Sequence, residues 1–195
     1  MRHNILHDVR ADEWSLGGHT CRFLQQLGLD PAGSCEMLEA RALAADLIGP
    51  DIATAATFVS IQQHTGGAAL HLFREDGQIT GVLGFAPLSQ EGFRALVAET
   101  FDAVDPPPEH LAGAGDYPAA CYGWGIAGSS AAARKAMVAA TIALYAEIFP
   151  DVPWFSRAAT PDGRRVILGK FGFTPLPGSS TGLLVHWPPS KERAA

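Results

Sequence analysis

A β-hairpin in the middle of the chain is the feature that most restricts the fold. Residues 69–74 (ALHLFR) and 79–86 (ITGVLGFA) are two runs of strand-forming residues, and the segment between them contains Asp76-Gly77. An Asp-Gly pair between such runs is typical of a tight turn that joins two antiparallel strands. The sequence therefore predicts an antiparallel hairpin, and the fold must contain a sheet with at least this antiparallel part.

The last third of the chain alternates strand and helix. The pattern predicts strands over 119–127, 152–158 and 182–187, and helices over 130–149 and 161–171. This order packs helices against a sheet, and together with the hairpin it favours an α/β or α+β class with a mixed sheet. The loop over 105–118, rich in Pro and Gly, is too short to require a second domain.

The first 66 residues are predicted to be mainly helical. Residues 35–48 have apolar side chains at helical spacing, with Ser34 as a plausible N-cap. Residues 53–64 mix helix-forming and strand-forming types, and we favour a helix there. A further helix is predicted over 91–104. We expect one domain over residues 1–195, with the sheet and core helices over 69–187, because a chain of 195 residues can bury roughly 70% of its surface.

Charge and composition argue against several classes of function. The chain has 14 basic and 20 acidic side chains, a net charge of −6, which does not favour a nucleic-acid binder. No apolar run is long enough to span a membrane, and residues 1–8 lack the apolar core of a secretory signal, so we expect a cytoplasmic protein with no membrane partner. The three cysteines and the scattered histidines have no metal-ligand spacing, and no metal site is predicted.

Two motifs adjoin the start of the long helix predicted over 130–149. Residues 123–128 (GWGIAG) match GxGxxG between a strand and a helix, which could indicate a dinucleotide site where Arg157 meets the phosphate of NADP. Alternatively, these glycines allow a bulge or a close backbone approach within a strand. The helix start itself, with Ser130, Arg134 and Lys135, could bind a pyrophosphate or could be a capped helix with a solvated face.

The segment 155–173 carries a family resemblance. A strand, a short helix and the sequence Lys170-Phe171-Gly172-Phe173 follow the long helix. This arrangement resembles the second half of the GNAT-type acyl-CoA N-acyltransferase superfamily, whose members often end this helix in a Lys-x-Gly-Phe pattern. The resemblance covers roughly residues 69–187. It implies a divergent GNAT-like α/β fold behind a helical N-terminal segment, with acetyl-CoA or another acyl-CoA as co-substrate.

The resemblance also implies a binding site. In the family, the strand before the long helix splays from its neighbour and holds the acyl-CoA arm, while the helix start wraps the pyrophosphate. By spacing from the helix, the positions that match the phosphate loop are Ser129, Ala132 and Arg134. The other candidates for binding the co-substrate are Ile126 and Ala127 on the strand and Ser130 and Lys135 at the helix start. The chain departs from the family here, because both glycines of the phosphate loop are absent and Ser129 replaces its leading Arg or Gln.

The catalytic candidates are Tyr122 on the strand over 119–127 and His186 on the last strand. Each could instead be a packed residue with a satisfied hydrogen bond. The leading hypothesis is acetyl transfer to an amine of a small molecule or peptide. A catalytically silent member of the fold, acting as a ligand-binding or interaction module, is the alternative, and NADP binding through residues 123–128 is the third. A homodimer could form through pairing of an exposed final strand.

Overall fold

The structure is a computed structural model that describes residues 15–189. In chain order the elements are α1 (Leu16–Gln26), β1 (Leu29–Pro31), α2 (Met37–Ile48), α3 (Ala55–His64), β2 (Leu70–Glu75), β3 (Gln78–Leu88), α4 (Gln90–Val97), β4 (Ala120–Gly128), α5 (Ala131–Ala143), β5 (Trp154–Ser156), α6 (Pro161–Gly169), β6 (Thr174–Pro175) and β7 (Leu184–His186). A π-helical turn, Leu144–Ile148, extends α5. From the hairpin onwards, this succession confirms the predicted order of strands and helices.

All seven strands form one mixed sheet. Their order is β1-β2-β3-β4-β5-β7-β6, in which β4 and β5 are parallel and every other neighbouring pair is antiparallel. The long helix α5 connects the two parallel strands, as a parallel pair requires. The fold class is therefore α/β with a mixed sheet, as predicted, and the order of strands and helices agrees with the GNAT-like fold that the resemblance implies.

The predicted hairpin is confirmed in detail. Strands β2 and β3 pair from Leu70 opposite Gly84 to Glu75 opposite Gln78. The two residues between them have positive φ angles, 50° at Asp76 and 81° at Gly77. This is the backbone of a type I′ turn, whose twist matches that of the strands, and it explains why an Asp-Gly pair occupies the turn.

Several predicted helix boundaries are wrong. Helix α4 ends at Val97 rather than at residue 104, and Glu99 just beyond it has a left-handed φ of 58°. Helix α2 begins at Met37, because Ser34 starts a short 3₁₀ turn instead of capping the helix. In contrast, α6 begins at residue 161 as predicted, and Thr160 caps it, with its hydroxyl accepting from the Gly163 N–H at 3.0 Å.

Two short strands were not predicted. Strand β1 lies in the part of the chain that was expected to be mainly helical, and β6 has two residues. Both contain a proline and are too short to show an alternating pattern. Because β6 pairs with β7, the final strand lies between β5 and β6. The expectation of an exposed final strand that pairs between subunits is therefore wrong, and a homodimer stays a prediction without that basis.

The two faces of the sheet are covered differently. Helices α1, α5 and α6 pack on one face over a single cluster of buried side chains, which we call the filled face. Helices α2, α3 and α4 pack on the other face over two separate clusters, and we call this the cavity face. On the filled face, Met137, Leu144 and Phe149 are completely buried. The division of the core on the cavity face leaves space between its two clusters.

Within residues 15–189, no helix is both long and apolar enough to cross a lipid bilayer. The expectation that the chain lacks a secretory signal depends on residues 1–8, which lie outside the described residues. Cytoplasmic localisation and a single domain over the whole chain stay predictions.

Candidate active site

Strands β4 and β5 separate at the point where their parallel pairing ends. They pair from Cys121 opposite Trp154 to Gly123 opposite Ser156, and the Ser156 hydroxyl donates to the Gly123 carbonyl at 3.1 Å. Strand β5 ends there, whereas β4 continues to Gly128 and stays paired with β3. Beyond Gly123, no described strand pairs with this edge of β4. Its backbone N–H and C=O groups are therefore accessible to an extended ligand.

A β-bulge in β4 turns two consecutive residues towards the same side. The register of β4 against β3 shifts by one residue at Trp124, and both Trp124 and Gly125 line a cavity on the cavity face. The indole N–H of Trp124 donates to the Ala103 carbonyl. The Trp124 ring meets the ring of Phe58 edge-on, with centroids 5.2 Å apart. The bulge thus fixes a large aromatic wall beside the separating strands.

The cavity has a volume of about 200 Å³ and lies between β4, the end of α2 and the start of α3. Its lining is mainly apolar, with contributions from both clusters of the cavity face: Ala44, Ile48, Ile52, Ala53, Phe58, Leu70, Val82, Gly84, Ala103, Val104, Tyr122, Trp124, Gly125, Ala127, Ala158 and Ala159. Two charged residues complete the described lining, Asp51 and Arg157. Pockets for drug-sized ligands usually have about 300–1,000 Å³, so this cavity suits a smaller molecule.

Tyr122 and Arg157 are neighbouring polar residues of the cavity lining. Tyr122 is 6% exposed. Burial raises the pKa of its hydroxyl, and the neighbouring guanidinium of Arg157 offsets only part of that increase through its charge and a hydrogen bond. Tyr122 is therefore protonated at neutral pH and can donate a hydrogen bond or a proton, whereas it cannot act as a ready base.

A hydrogen bond to the loop between β6 and β7 fixes the position of the Arg157 side chain. Its Nε–H donates to the Thr181 hydroxyl at 3.1 Å, and that hydroxyl donates to the Glu99 carboxylate at 2.7 Å. The same carboxylate accepts from the hydroxyl of Ser179 and from the backbone N–H and hydroxyl of Ser180. These hydrogen bonds, that of Ser179 foremost, lower the pKa of Glu99. Glu99 thus fixes the loop directly and, through Thr181, also fixes the guanidinium of Arg157.

The predicted pyrophosphate site at the start of α5 contains a carboxylate. The Ser130 hydroxyl accepts from the Ala133 N–H at 2.9 Å, which caps the helix, and it donates to Glu75 at 2.5 Å. This hydrogen bond is the main cause of the lowered pKa of Glu75, which is therefore ionised at neutral pH. The Ser129 N–H donates to the Thr80 carbonyl at 2.9 Å. A diphosphate at this position would meet the negative charge of Glu75.

The two predicted cations at the helix start differ in what they contact. The guanidinium of Arg134 folds back and donates to the carbonyls of Gly128 and Ser129, at 3.2 and 3.3 Å. Lys135 and Ala132 are exposed on the first turn. The structure therefore brings Ser129, Ser130, Ala132, Arg134 and Lys135 together at one place, but it uses Arg134 to satisfy the backbone at the helix start. Their role in binding acyl-CoA stays a prediction.

The strand residues predicted for the acyl-CoA arm point to different faces. Ala127 is buried in the lining of the cavity, whereas Ile126 packs against the core of the filled face. Their shared contribution to a ligand would therefore be the backbone of β4, as the resemblance implies.

Tyr122 and His186 are not brought together. His186 follows Val185 on β7 and pairs with Trp154, on the filled face. The ring of His186 lies 4.8 Å from that of Tyr145 and 5.7 Å from that of Phe173, measured between centroids. The sheet therefore separates the side chains of Tyr122 and His186, and the catalytic role of each stays a separate prediction.

The glycines of residues 123–128 lie inside β4 and do not form a loop before the helix. An added Cβ on Gly128 would lie 2.7 Å from the backbone nitrogen of Arg134, and one on Gly125 would lie 2.9 Å from the side chain of Ile48. The glycines thus allow close approach of α5 and α2 to the strand, which was the alternative interpretation. They do not form the phosphate-binding turn of a dinucleotide site.

Sequence reasoning missed three contributors to the site. Glu99 and Thr181 are 82 positions apart and form one hydrogen-bond network. Asp51 has no motif around it and lies in the cavity lining. Arg157 had a local signal, a charged residue directly after a buried strand, but we interpreted it only as a contact for NADP.

Comparisons of sequence give no match for the chain, whereas a comparison of structures does. No protein-family model matches it, and no curated protein matches it. Among solved structures, it is similar to a crystal structure described as histone acetyltransferase HPA2 and related acetyltransferase, from Corynebacterium glutamicum. That similarity has a TM-score of 0.48 and 17% sequence identity, and covers 83% of this chain and 96% of the other. The strand order and the alternation of strands and helices agree with the GNAT-type fold that the sequence resemblance implies.

Proposed function

We propose that the protein transfers an acyl group from acyl-CoA to an amine. The observation that carries the proposal is the separation of β4 from β5 beside a cavity that contains Tyr122 and Arg157. An extended acyl-pantetheine arm has the shape and the amide groups to bind along the open edge of β4. The acyl group would then enter next to the cavity, where the acceptor amine binds.

The reaction needs little from the protein beyond positioning. A deprotonated amine attacks the thioester carbonyl carbon, the C–S bond breaks, the amine loses a proton and the thiolate gains one. Holding both reactants in one cavity supplies much of the rate enhancement. Tyr122 is the proposed catalytic residue, because its protonated hydroxyl in the cavity lining can donate to the leaving sulfur.

The fit of CoA to the start of α5 is incomplete. Small side chains and the first N–H groups of the helix favour an anion there, whereas the ionised Glu75 opposes it. Removal of that charge gives a direct test. If the diphosphate binds at this helix, Glu75→Gln should tighten CoA binding, while Glu91→Gln in the exposed first turn of α4 should leave it unchanged.

Activity is tested by release of the CoA thiol from acetyl-CoA with a panel of amines, after calorimetric titration of CoA, acetyl-CoA and NADP. The expected result is binding of the CoA species, and thiol release that falls about 100-fold or more in kcat in Tyr122→Phe with little change in KM. Absence of CoA binding in both the wild type and Glu75→Gln would contradict the proposal.

A binding module of the same fold is the second candidate. The observation that favours it is the hydrogen bond between Ser130 and Glu75, which places a carboxylate where the family binds phosphate. Such a module would bind a small molecule in the cavity and show no affinity for CoA. The same titration separates the two candidates.

A further inference from the structure

We propose that the cavity recognises a small zwitterion with an apolar body, and that the acyl acceptor is accordingly an apolar amino acid bound through its carboxylate by Arg157. The acceptor assignment rests on the proposed acyl transfer. The recognition of a carboxylate beside an apolar group does not, because it follows from the cavity itself.

Arg157 is the basic residue of the described cavity lining, and within residues 15–189 it forms no salt bridge. Its Nε–H donates to Thr181, and the guanidinium also lies beside the hydroxyl of Tyr122. A guanidinium has five N–H donors, so these two neighbours leave donors unassigned. A half-buried cation next to apolar walls gains most from a counter-ion, and the planar guanidinium matches a carboxylate.

Hydrogen bonds within the protein hold the side chain of Arg157 in place before any ligand binds. The Thr181 hydroxyl accepts from Nε and donates to Glu99, whose carboxylate accepts five hydrogen bonds from residues 179–181. A long side chain that is already ordered loses less conformational entropy when a ligand binds. Glu99 anchors the loop without forming an ion pair with the guanidinium, so the positive charge of Arg157 is not neutralised within the described part of the chain.

The remaining lining determines the rest of the ligand. Asp51, which is exposed, supplies one negative charge that complements an ammonium group, and all other lining side chains are apolar or uncharged. The bound ammonium group loses a proton to solvent before its nitrogen attacks the thioester. One cation and one anion in an apolar cavity match a zwitterion with an apolar side chain. The volume of about 200 Å³ is below that of pockets for drug-sized ligands, which favours a single amino acid over a lysine on a protein surface.

Matched pairs of amines test the inference. Leucine, valine and phenylalanine are each compared with the amine that lacks the carboxylate: 3-methylbutylamine, 2-methylpropylamine and 2-phenylethylamine. Acetyl transfer from acetyl-CoA is measured with each compound, and binding of each compound without CoA is measured by calorimetry. The variants are Arg157→Gln and, as a matched control, Arg22→Gln, which removes an exposed arginine on α1 at the opposite face of the sheet.

We expect the wild type to prefer the amino acid in at least one pair by about 10-fold to 100-fold in kcat/KM, which is the usual effect of a hydrogen bond to a charged group. Arg157→Gln should abolish this preference, and Arg22→Gln should retain it. Thr181→Val, which keeps the charge but removes the hydroxyl that positions Nε, should raise KM for the amino acid more than it lowers kcat. This variant serves as the second test if Arg157→Gln does not fold.

The outcomes separate the two proposals. Equal or better transfer to the amines without a carboxylate would overturn the carboxylate inference and leave acyl transfer standing. Binding of an amino acid that depends on Arg157, without transfer to any compound, would overturn acyl transfer, and the acceptor assignment with it, but support the recognition of a zwitterion. Neither binding nor transfer with any of the six compounds would overturn the inference in both its parts.

Discussion

Three helices cover each face of the sheet, but the buried side chains beneath them are packed differently on the two faces. On the filled face, α1, α6 and the long helix α5 with its π-helical extension cover the sheet with one cluster of buried side chains. On the cavity face, α2, α3 and α4 come from separate segments, and the two clusters beneath them leave a space of about 200 Å³. The face whose buried side chains divide into two clusters therefore holds the candidate site.

The largest expected difference between the two faces is in the free energy of unfolding that is lost when an aromatic ring is removed. Phe149 on the filled face is fully buried and packs against Phe85 and Trp154. Phe149→Ala should lower the free energy of unfolding by about 3–5 kcal/mol. Phe58→Ala should cost at least about 1 kcal/mol less, because its ring already borders the cavity. Urea denaturation of both variants measures the difference, and equal losses would mean that the two faces are packed alike.

The filled face also contains a buried histidine without a hydrogen-bond partner among the described residues. His71 is fully buried, and burial lowers its pKa from 6.5 to about 3. The unfolded chain binds a proton below pH 6.5 and the folded chain does not, so stability should fall as the pH is lowered from 6.5 towards 3. The loss should reach a few kcal/mol, since one pKa unit corresponds to about 1.4 kcal/mol.

The control for that prediction is His71→Leu, which removes the titrating group and keeps the site apolar. Its free energy of unfolding should change much less over the same pH range and should equal or exceed that of the wild type under acid conditions. A variant with the same pH slope as the wild type would show that other groups dominate the acid response.

A matched pair of alanines tests whether the cavity has room. Ala140 on α5 is fully buried in the filled face, and Ala140→Leu should cost about 1–3 kcal/mol through overpacking. Ala127 is buried to a similar degree but lines the cavity, so Ala127→Leu should cost less than about 1 kcal/mol while it blocks ligand binding. Thermal unfolding and calorimetry check both effects. A large loss of stability in Ala127→Leu would contradict an open cavity.

The smallest effects concern exposed charges. Arg165 and Asp162 form an ion pair on α6, with both side chains more than 75% exposed, and Arg165→Gln should change stability by less than about 0.5 kcal/mol. Glu99 is also solvated, but its carboxylate accepts hydrogen bonds from residues 179–181. Because its pKa is lowered in the folded state, its contribution to the free energy of unfolding is lost as the pH falls below 4.5.

Glu99→Gln should therefore have a lower midpoint of thermal unfolding than the wild type at neutral pH. On acidification, the midpoint of Glu99→Gln should fall by less than that of the wild type. Arg165→Gln should match the midpoint of the wild type at every pH. Measurement in a His71→Leu background removes the contribution of the histidine. Equal acid dependence of Glu99→Gln and its parent would show that the carboxylate does not anchor the loop.

Much of the fold could be predicted because the relevant interactions are local. The turn at Asp76-Gly77 is set by the φ angles of two adjacent residues, and the start of α6 is set by Thr160 and a backbone N–H three residues away. The predicted end of α4 was wrong for the opposite reason. Glu99 leaves the helix in a left-handed conformation and bonds to residues 179–181, which are about 80 positions away.

The candidate site shows the same division. The sequence by itself determined the hairpin, the strand that carries Tyr122 and the small residues at the start of α5, because each depends on neighbours within a few positions. Only the tertiary structure decided that His186 lies behind the sheet, that Glu75 stands at the helix start and that Thr181 and Glu99 hold Arg157 at the cavity. These relations depend on strand register and on the face to which each side chain points, and both are set by contacts between segments that are distant in the chain.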